Sequence, residues 1–219
     1  MLTPLLISGA IGYLLGALPF GYLVARAKGV NIFEVGSRSP GATNVKRVLG
    51  AKAGNLVFAL DAVKGLVATA VPLVLTLGGD PGTLGYDAGG VAGLIGAVLG
   101  HSFSCFTKFK GGKGVATAAG GLLVLAPLTC LLGLATWVAV FFSFRYVSMA
   151  SIASAVVVGL VPWLTNLDLI AEPTFPWLKV SFVTLLAILV VVRHKANIQR
   201  LLAGTEHRWE RKPPARVDS

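Results

Sequence analysis

The chain has 219 residues, of which 55% are hydrophobic and 13% are charged, and its mean hydropathy is +0.78. A soluble domain of this size would carry roughly 25% charged residues, so the composition excludes an ordinary water-soluble protein and indicates one integral membrane domain. The net charge of +10 comes from basic residues that cluster in a few connections and in the tail.

Five apolar runs are long enough to cross a bilayer as helices, which takes about 20 residues each. They lie at roughly 4–25, 53–77, 88–106, 148–166 and 176–193. A further run, 114–144, is too long for one crossing, holds Pro127 near its middle and has Lys113 and Arg145 at its ends. If both cations stay on one side, the chain turns near Ala126 and Pro127 and forms two short helices. The sequence therefore predicts an all-α polytopic membrane protein with seven transmembrane helices.

The distribution of charge between connections predicts the orientation. Basic residues collect around 26–52, 107–113, 145–147 and 193–219, whereas the connections at 78–87 and 167–176 contain acids and no base. Since cytoplasmic connections are the basic ones, we expect the N-terminus outside and the C-terminus in the cytoplasm. We predict one transmembrane domain at 1–206 and a basic cytoplasmic tail at 207–219, with Trp209 resting on anionic headgroups.

Two lysines depart from this pattern. Lys179 lies near the predicted external end of the last helix, and Lys64 lies inside the second apolar run. Asp61 precedes Lys64 by three residues, so the two share a helix face and can form an ion pair that stabilises the bundle. The alternative is that Asp61 positions a residue of a functional site.

The first polar cluster offers hydroxyl and amide donors among glycines: Gly36, Ser37, Gly41, Thr43 and Asn44. Glycine allows the backbone to approach a ligand closely, and the donors can hold its oxygens. If a helix begins near Thr43, Arg47 projects beside these donors toward an anion at the start of the helix. The alternative is an ordinary glycine turn followed by an arginine that obeys the positive-inside rule.

The second polar cluster combines lysines with adjacent glycines just before an apolar run: Lys108, Lys110, Gly111, Gly112 and Lys113. Backbone N–H groups and ammonium groups can converge on a phosphate there. Gly114 follows Lys113 where a Walker A loop has Ser or Thr, so no nucleotide site is predicted. A short cytoplasmic loop also contains glycine and lysine, and this alternative stays open.

The third polar cluster has helical periodicity. Arg193, Asn197 and Arg200 lie at i, i+4 and i+7 on one face, with His194 beside them, so they can close a site from the opposite wall. The alternative is a basic helix end that reaches headgroups, which explains the arginines but not Asn197 or His194. The predicted topology places all three clusters on one side of the membrane, which favours a shared site.

No catalytic base or nucleophile is evident in the sequence. The residue five positions after His101 is Phe106 rather than an acid, and no Gly-x-Ser-x-Gly elbow occurs. Histidines and carboxylates are too sparse for a metal site, and Cys105 and Cys130 show neither a metal nor a disulfide pattern. We therefore expect no metal and no cofactor, and chemistry that depends on positioning, electrostatics and the substrate's own groups.

Together the clusters resemble the three motifs of the bacterial integral-membrane glycerol-3-phosphate acyltransferases that use acyl phosphate. The matching segments are Gly36-Ser37 to Gly41-Ala42-Thr43-Asn44 to Arg47; Gly100-His101 to Phe106, with Phe109-Lys110-Gly111-Gly112-Lys113 to Ala116-Thr117; and Arg193-His194 to Asn197-Ile198 to Arg200-Leu201 to Gly204 to Glu206. The segments Pro19 to Leu23 and Asp61 to Gly65 are also family-like, so the resemblance spans nearly the whole chain. One departure is Arg38-Ser39, which stands where the family usually has Gly-Asn.

The resemblance implies a seven-helix enzyme of the bacterial cytoplasmic (inner) membrane, with its active site facing the cytoplasm. It implies transfer of a fatty acyl group from acyl phosphate to the 1-hydroxyl of sn-glycerol 3-phosphate, giving lysophosphatidic acid and phosphate, the first acylation of phospholipid synthesis. Its partners would be these two substrates and membrane lipid, with no nucleic acid. Small residues at Gly89, Gly90, Gly93 and Gly96 would leave room for the acyl chain.

By the same resemblance, residues that match the motifs would bind substrate phosphates or polarise the acyl carbonyl. The expected catalytic residues are Ser37, Arg47, Lys110, His194 and Asn197. The expected substrate-binding residues are Gly36, Gly41, Thr43, Asn44, Gly111, Gly112, Lys113, Ser148, Arg193 and Arg200. Since no protein base is evident, we add the hypothesis that a substrate phosphate accepts the hydroxyl proton.

Two other classes of function compete with this interpretation. A carrier for a phosphorylated metabolite would also have an interior cationic site, but no inverted repeat is visible and every motif lies on one face rather than at the midplane. A non-catalytic scaffold for anionic lipid accounts for the charges, but not for the neutral donors Ser37, Thr43, Asn44 and Asn197.

Overall fold

The computed structural model describes residues 2–77, 79–81, 83–166 and 177–209. Within these residues the regular structure consists of ten α-helices and a 3₁₀ turn at Cys105–Thr107, with no strand. The all-α prediction is therefore confirmed. The predicted external connection at 167–176 and the chain after residue 209 lie outside the described residues.

The helices differ in their capacity to cross a membrane. They are α1 Leu2–Ala17, α2 Phe20–Arg26, α3 Ala42–Leu49, α4 Ala51–Val74, α5 Leu84–Ser102, α6 Val115–Leu125, α7 Pro127–Phe144, α8 Val147–Asn166, α9 Trp177–Arg193 and α10 Lys195–Leu202. In the described chain, five spans are long and apolar enough to cross a membrane, and α1 and α2 together make up one of them. There is a sixth if α9 and α10 form one bent span. The 11 residues of α6 reach only about 16 Å, short of the roughly 30 Å hydrocarbon core. Seven crossings therefore remain a prediction.

The long apolar run at 114–144 is divided where the sequence predicts. Helix α6 ends at Leu125 and α7 begins at Pro127, which occupies the first helical turn, where its missing N–H costs no hydrogen bond. The predicted turn is confirmed. Only the first of the two helices is short, because α7 has 18 residues.

Other helix junctions are set by residues in the left-handed region. Gly50, with φ of 90°, separates α3 from α4, and Gly114, with φ of 80°, precedes α6. Arg145, with φ of 67°, forms the turn between α7 and α8. Helices α9 and α10 meet at His194 with a bend of 55°. These junctions bring the polar clusters toward one another.

Small residues let the helices pack backbone against backbone. Gly12 and Gly16 of α1 lie directly on Gly93 and Ala97 of α5, so a Cβ at either α1 position would overlap the α5 backbone. Such contacts are the usual means of close helix approach in lipid. The space at Gly93 is filled by α4, at Gly96 by α1, and at Gly90 by leucine side chains. The expected acyl-chain slot therefore does not lie at these three glycines.

The predicted ion pair inside α4 is confirmed. Lys64 Nζ lies 2.8 Å from Asp61 Oδ1, and both side chains are less than 5% exposed. Lys64 also donates a 2.9 Å hydrogen bond to the Leu18 carbonyl at the junction of α1 and α2. Asp61 approaches His101 Nδ1 of α5 at 3.5 Å, so this buried charge pair links α4 to α5 and to the junction between α1 and α2.

Lys179, the other lysine outside the charge pattern, has an acidic partner. Its Nζ lies 2.8 Å from Asp87 Oδ1 at the start of α5. The partner explains how a cation can occupy this end of the bundle, because the pair carries no net charge.

The outer surface of the bundle is strongly apolar. Leu131 and Phe142 of α7 and Leu185 of α9 are each more than half exposed. A water-soluble protein rarely exposes so much apolar surface, whereas lipid solvates it without cost.

Candidate active site

A cavity of about 490 Å³ opens where the three polar clusters meet. It is lined by most of the predicted site residues: Gly36, Ser37, Gly41, Thr43, Asn44, Arg47, Lys113, Ser148, His194, Asn197 and Arg200. Lys110, Gly111, Gly112 and Arg193 do not line it. The structure thus brings together residues from all three motifs and places these four behind or beside the cavity wall.

Asn44 shapes the first wall of the cavity. Its side chain is 2% exposed, and Oδ1 accepts a 2.8 Å hydrogen bond from the Ser37 backbone N–H. Its Nδ2 donates to the carbonyls of Ser39 at 2.9 Å and Val35 at 3.1 Å. The carboxamide is therefore engaged with the loop that precedes α3, and its main effect is to fix that loop around the cavity.

The first residue of the departure at Arg38-Ser39 has an unusual backbone conformation. Arg38 has a φ of 55°, in the left-handed region that glycine adopts without strain. Arg38 therefore occupies a backbone conformation that is strained for a residue with a side chain.

Arg47 presents hydrogen-bond donors that other described residues leave unused. Its buried Nε has no hydrogen-bond partner among the described residues, and Nη1 makes only a long 3.4 Å contact with Asn44 Oδ1. Burial lowers the pKa of this guanidinium, which stays charged because arginine loses its proton only far above neutral pH. A half-buried cation with spare donors on a cavity wall is arranged to hold an anion.

The glycine loop of the second cluster is held by backbone contacts with α5. The Gly112 N–H donates a 3.0 Å hydrogen bond to the His101 carbonyl. A Cβ at Gly111 would overlap the His101 backbone, and one at Gly112 would overlap the His101 imidazole. These glycines therefore permit a close approach that positions Lys113. Lys110 is exposed, and its backbone bonds to Thr107.

Arg193 braces the same loop from the other side. Its Nη2 donates to the Gly112 carbonyl at 2.9 Å and to the Ser102 carbonyl at 3.3 Å. The guanidinium also lies 4.9 Å from the centre of the Phe103 ring. Arg193 thus holds the glycine loop to the end of α9 and lies outside the cavity.

Lys113 reaches from this loop into the cavity. Its Nζ donates a 2.6 Å hydrogen bond to Asn197 Oδ1 on α10. Burial, together with the nearby Arg200, Arg47 and Arg193, lowers the pKa of Lys113 to about 8, against the opposing effect of Glu206. Lys113 therefore joins the second motif to the third, and its pKa lies within about one unit of neutral pH.

Glu206 connects the third cluster to α8, and sequence reasoning assigned it no role. Its Oε1 accepts hydrogen bonds from Asn197 Nδ2 at 2.7 Å and Ser148 Oγ at 2.8 Å, and its Oε2 accepts from Arg200 Nε at 2.7 Å. Burial raises the pKa of Glu206, but these three hydrogen bonds outweigh it and hold the pKa below its usual range. The only sequence feature that pointed to Glu206 was its position in the third motif.

His194 lies at the bend between α9 and α10 and is 2% exposed. Its Nδ1 lies 2.7 Å from the Val190 carbonyl. Because a carbonyl only accepts, Nδ1 carries a proton, and in the neutral ring Nε2 is left as an acceptor.

Other residues of the cavity wall were not among the expected catalytic or substrate-binding residues. Asp61 and His101 line the cavity, which supports the alternative that the Asp61 pair also serves a site. Phe58, Trp137 and Val147 form an apolar part of the wall, and Trp137 Nε1 donates to Ser151 Oγ at 3.2 Å. Aromatic and aliphatic residues are abundant in this sequence, so nothing distinguished these three in advance.

His207 and Trp209 also line the cavity. The Trp209 N–H donates a 2.8 Å hydrogen bond to the Arg145 carbonyl, and its ring lies 5.1 Å from Lys46 Nζ. The first residues of the predicted tail therefore pack on the site, and Trp209 contacts protein at the position where headgroup contact was expected.

The charge balance of the cavity favours an anionic amphiphile. Arg47, Lys113 and Arg200 supply positive charge, and the carboxylate of Glu206 is paired with Arg200. The apolar part of the wall is continuous with this cationic region in one cavity. Fold and site together define a polytopic helical protein whose cavity suits a ligand with both phosphate and hydrocarbon groups.

Comparison with known proteins identifies the family. The sequence model of the glycerol-3-phosphate acyltransferase family matches residues 6–204. The chain is 42% identical over 199 residues to the glycerol-3-phosphate acyltransferase of Hydrogenobaculum sp. strain Y04AAS1, covering 91% of this chain and 94% of that protein. It is 42% identical over 207 residues to that of Bacillus subtilis strain 168, covering 94% and 97%. The chain belongs to the glycerol-3-phosphate acyltransferase family.

Solved structures agree with this assignment. The crystal structure of PlsY, an integral membrane glycerol 3-phosphate acyltransferase in its glycerol 3-phosphate form, superposes with a TM-score of 0.82 at 36% identity, covering 94% of this chain and 96% of that one. The lysophosphatidic acid form gives a TM-score of 0.78. The present chain is accordingly an integral membrane protein with the same helical fold.

Proposed function

We propose that this protein transfers a fatty acyl group from acyl phosphate to the 1-hydroxyl of sn-glycerol 3-phosphate, releasing lysophosphatidic acid and phosphate in the first acylation of phospholipid synthesis. The observation that carries the proposal is that Arg47, Lys113 and Asn197, from three separate motifs, line one cavity. Glycerol-3-phosphate acyltransferase activity is the common property of the relatives named above.

The cavity has groups suited to two phosphates. Arg47 has unused donors, and the Lys113 ammonium retains two N–H groups beyond its bond to Asn197. The hydroxyls of Ser37 and Thr43 line the same space and donate to no other described residue. We assign Arg47, Ser37 and Thr43 to one phosphate and Lys113 and Arg200 to the other.

Residues outside the cavity act through the loops they hold. Gly111, Gly112 and Arg193 set the position of Lys113, Asn44 sets that of the first loop, and Gly36 and Gly41 give that loop its close approach. Ser148 orients Glu206 and, through it, Asn197. We assign the exposed Lys110 to attracting anions and not to contact with the reacting atoms.

The acyl chain follows the apolar part of the wall formed by Phe58, Trp137 and Val147. With the carboxyl carbon of the chain held between the phosphate sites, the glycerol hydroxyl oxygen attacks that carbon, and the bond from the carbon to the leaving phosphate oxygen breaks. We assign to the Lys113 ammonium the stabilisation of the developing oxyanion by hydrogen bonding, and to His194 a part in shaping the cavity at the bend between α9 and α10. The positive charge of the cavity favours departure of phosphate as an anion.

The hydroxyl proton passes to a substrate phosphate in this proposal. In its favour, burial and the nearby Lys113 lower the pKa of His194 to about 4, so its free Nε2 is a weak base at neutral pH. His101, whose Nδ1 lies 3.5 Å from Asp61, is the other histidine that is tested below. A phosphate monoester with a second pKa near 6 is a competent acceptor at neutral pH. We expect kcat/KM to rise with pH through about 6, following ionisation of the substrate phosphate.

The proton acceptor can be tested with His101→Ala and His194→Ala, measuring turnover, binding of both substrates and the pH profile. We expect each variant to keep measurable turnover and the same rise of kcat/KM with pH near pH 6. Loss of turnover in either variant, with both substrates still bound, would show that the histidine is the base.

The donor is tested with purified protein in lipid, given glycerol 3-phosphate and either acyl phosphate or an acyl thioester. Lysophosphatidic acid formed from acyl phosphate alone supports the proposal. Equal product from the thioester overturns the choice of donor, and no product from either overturns the function. Passage of glycerol 3-phosphate across sealed vesicles without acylation would point to the carrier.

We further propose seven crossings in a bacterial cytoplasmic membrane, with the N-terminus outside, the cavity facing the cytoplasm, and a tail after residue 206. Lys28 and Asp80 are both exposed and lie in connections predicted to be on opposite sides. In a chain with Cys105→Ser and Cys130→Ser, Lys28→Cys should resist an impermeant maleimide added to intact cells, and Asp80→Cys should react. Reaction of Lys28→Cys and protection of Asp80→Cys would show that the topology is the opposite of the one proposed.

A further inference from the structure

The segment Thr205–Trp209, here called the C-terminal strap, crosses the cavity beyond the end of α10. Four of its residues line the cavity: Thr205, Glu206, His207 and Trp209. The family model ends at residue 204, and of the strap residues only Glu206 belongs to the third motif. The strap follows Gly204, whose φ of 68° turns the chain back toward the site.

The strap is attached at both ends. At its start, the N–H groups of Thr205 and Glu206 donate to the Arg200 carbonyl at 2.8 and 3.1 Å, and the Glu206 side chain accepts from Asn197. At its end, the backbone N–H of Trp209 donates to the Arg145 carbonyl at 2.8 Å. The strap therefore connects α10 to the turn between α7 and α8.

Trp209 adds a third attachment, to the helix that carries Arg47. Lys46 of α3 places its ammonium 5.1 Å from the centre of the Trp209 ring, and the His207 ring packs edge-on against the same indole. Since Lys46 and Arg47 are neighbours, the indole lies next to the helix turn that supplies the first-motif arginine. Trp209 thus bridges α3 and the turn at Arg145 across the mouth of the cavity.

The position of the strap indicates which ligand it affects. Residues 205–209 and α3 both lie outside the candidate membrane spans, whereas the apolar wall with Phe58, Trp137 and Val147 belongs to spanning helices. A lipid-borne chain would enter along the spanning helices. A small water-soluble ligand would pass the strap.

We propose that Trp209 is a positioning residue that holds the strap closed beside α3 and thereby retains glycerol 3-phosphate in the cavity. This inference rests on the proposed function of the site. Trp209 acts by keeping Glu206 and the wall near Arg47 in place, and the acyl donor does not depend on it. A loosened strap raises the KM for glycerol 3-phosphate and leaves the chemical step largely intact.

The test compares Trp209→Ala, Trp209→Phe and the full chain, purified in lipid, by kcat, the KM for each substrate and the melting temperature. We expect Trp209→Ala to raise the KM for glycerol 3-phosphate about tenfold, with kcat within about threefold and the KM for acyl phosphate unchanged. Trp209→Phe keeps a ring beneath Lys46 and should recover most of the affinity. Arg208→Ala, an exposed neighbour that does not line the cavity, is the matched control and should match the full chain.

Lys46→Met tests the same contact without altering the strap. It should raise the KM for glycerol 3-phosphate about threefold, as expected for one exposed cation–π contact, and should add little to Trp209→Ala. This variant carries the test if Trp209→Ala does not fold.

Three outcomes overturn the inference: an unchanged KM for glycerol 3-phosphate in Trp209→Ala and Lys46→Met, an equal rise in both KM values, or a loss confined to kcat. Direct calorimetric titration with glycerol 3-phosphate separates the two proposals. If the full chain binds glycerol 3-phosphate but forms no product, the proposed function fails, and weaker binding to Trp209→Ala still supports the strap. If binding is equal in both, the strap proposal fails alone.

Discussion

The ammonium of Lys113 donates a 2.6 Å hydrogen bond to Asn197 Oδ1, across 84 positions of sequence. Asn197 in turn donates to Glu206, which also accepts from Ser148 and Arg200. The glycine loop, α8 and α10 therefore share one hydrogen-bonded chain, and a change at any member alters the others.

The first prediction concerns pH. Because the pKa of Lys113 lies at about 8, its ammonium is present below pH 8 and is lost above it. The KM for glycerol 3-phosphate should therefore rise steadily between pH 7.5 and 9.5, up to about tenfold per pH unit beyond the pKa if the charge is essential. Steady-state kinetics at constant ionic strength measure this, and the substrate phosphate is already ionised across that range.

Lys113→Arg is the control for this prediction, because arginine keeps its charge at these pH values but holds it in a wider, planar group. Its activity should be lower and should lack the alkaline limb; a limb that survives the substitution would assign the titration to another group. Stability should change in the opposite sense. The unfolded lysine titrates near 10.5 and binds more protons than the folded one between pH 8 and 10.5, so the Lys113 contribution to folding rises with pH there.

The second prediction compares two glycines in the left-handed region. Gly36, with φ of 58°, lies against Asn44 Oδ1, whereas Gly29, with φ of 72°, has nothing within 4 Å of an added Cβ. Alanine should cost about 1 kcal/mol of backbone strain at either position. Only Gly36→Ala should also displace Asn44 and reduce kcat/KM, by at least about tenfold. Equal activity in the two variants would remove Asn44 from its shaping role.

The third prediction compares two ion pairs of equal length. Asp61 with Lys64 and Asp87 with Lys179 both have N–O distances of 2.8 Å, but the first pair is less than 5% exposed and the second is 17–19% exposed. Asp61→Asn leaves a buried ammonium uncompensated and should cost about 3–5 kcal/mol. Asp87→Asn should cost about 1 kcal/mol or less. Thermal unfolding in the same detergent gives the comparison, and similar losses would contradict it.

The fourth prediction concerns the departure in the first motif. Arg38 has a φ of 55°, so Arg38→Gly should relieve strain and stabilise the protein by about 1 kcal/mol. Since Arg38 does not line the cavity, kcat and both KM values should stay within about twofold. A large loss of activity would show that the Arg38 side chain has acquired a role in this chain.

The sequence predicted features that depend on local pattern. Pro127 within a long apolar run located the break between α6 and α7, and the spacing of Asp61 and Lys64 predicted their ion pair. Composition indicated a membrane protein, and the lengths of the apolar runs indicated its helices. The three clusters were predicted to meet because all of them lie in basic connections, and basic connections are expected on the cytoplasmic side of the membrane.

Other features depend on bends and long-range contacts, which the helical periodicity of a sequence does not reveal. The spacing of Arg193, Asn197 and Arg200 predicted one continuous face, but the 55° bend at His194 turns Arg193 away to the glycine loop. Glu206 lies after the end of α10, where no helical period applies, and its partners come from α8 and α10. The apolar wall was not predicted because its residues resemble any other lipid-facing side chains.

Asn44 grips its loop through the main-chain atoms of Ser37, Val35 and Ser39 and through none of their side chains. The hold of Asn44 on the loop therefore does not depend on which side chains occupy positions 35, 37 and 39. A homologue that differs at position 35 can keep the same loop shape, whereas one that lacks the asparagine loses all three of these hydrogen bonds at once.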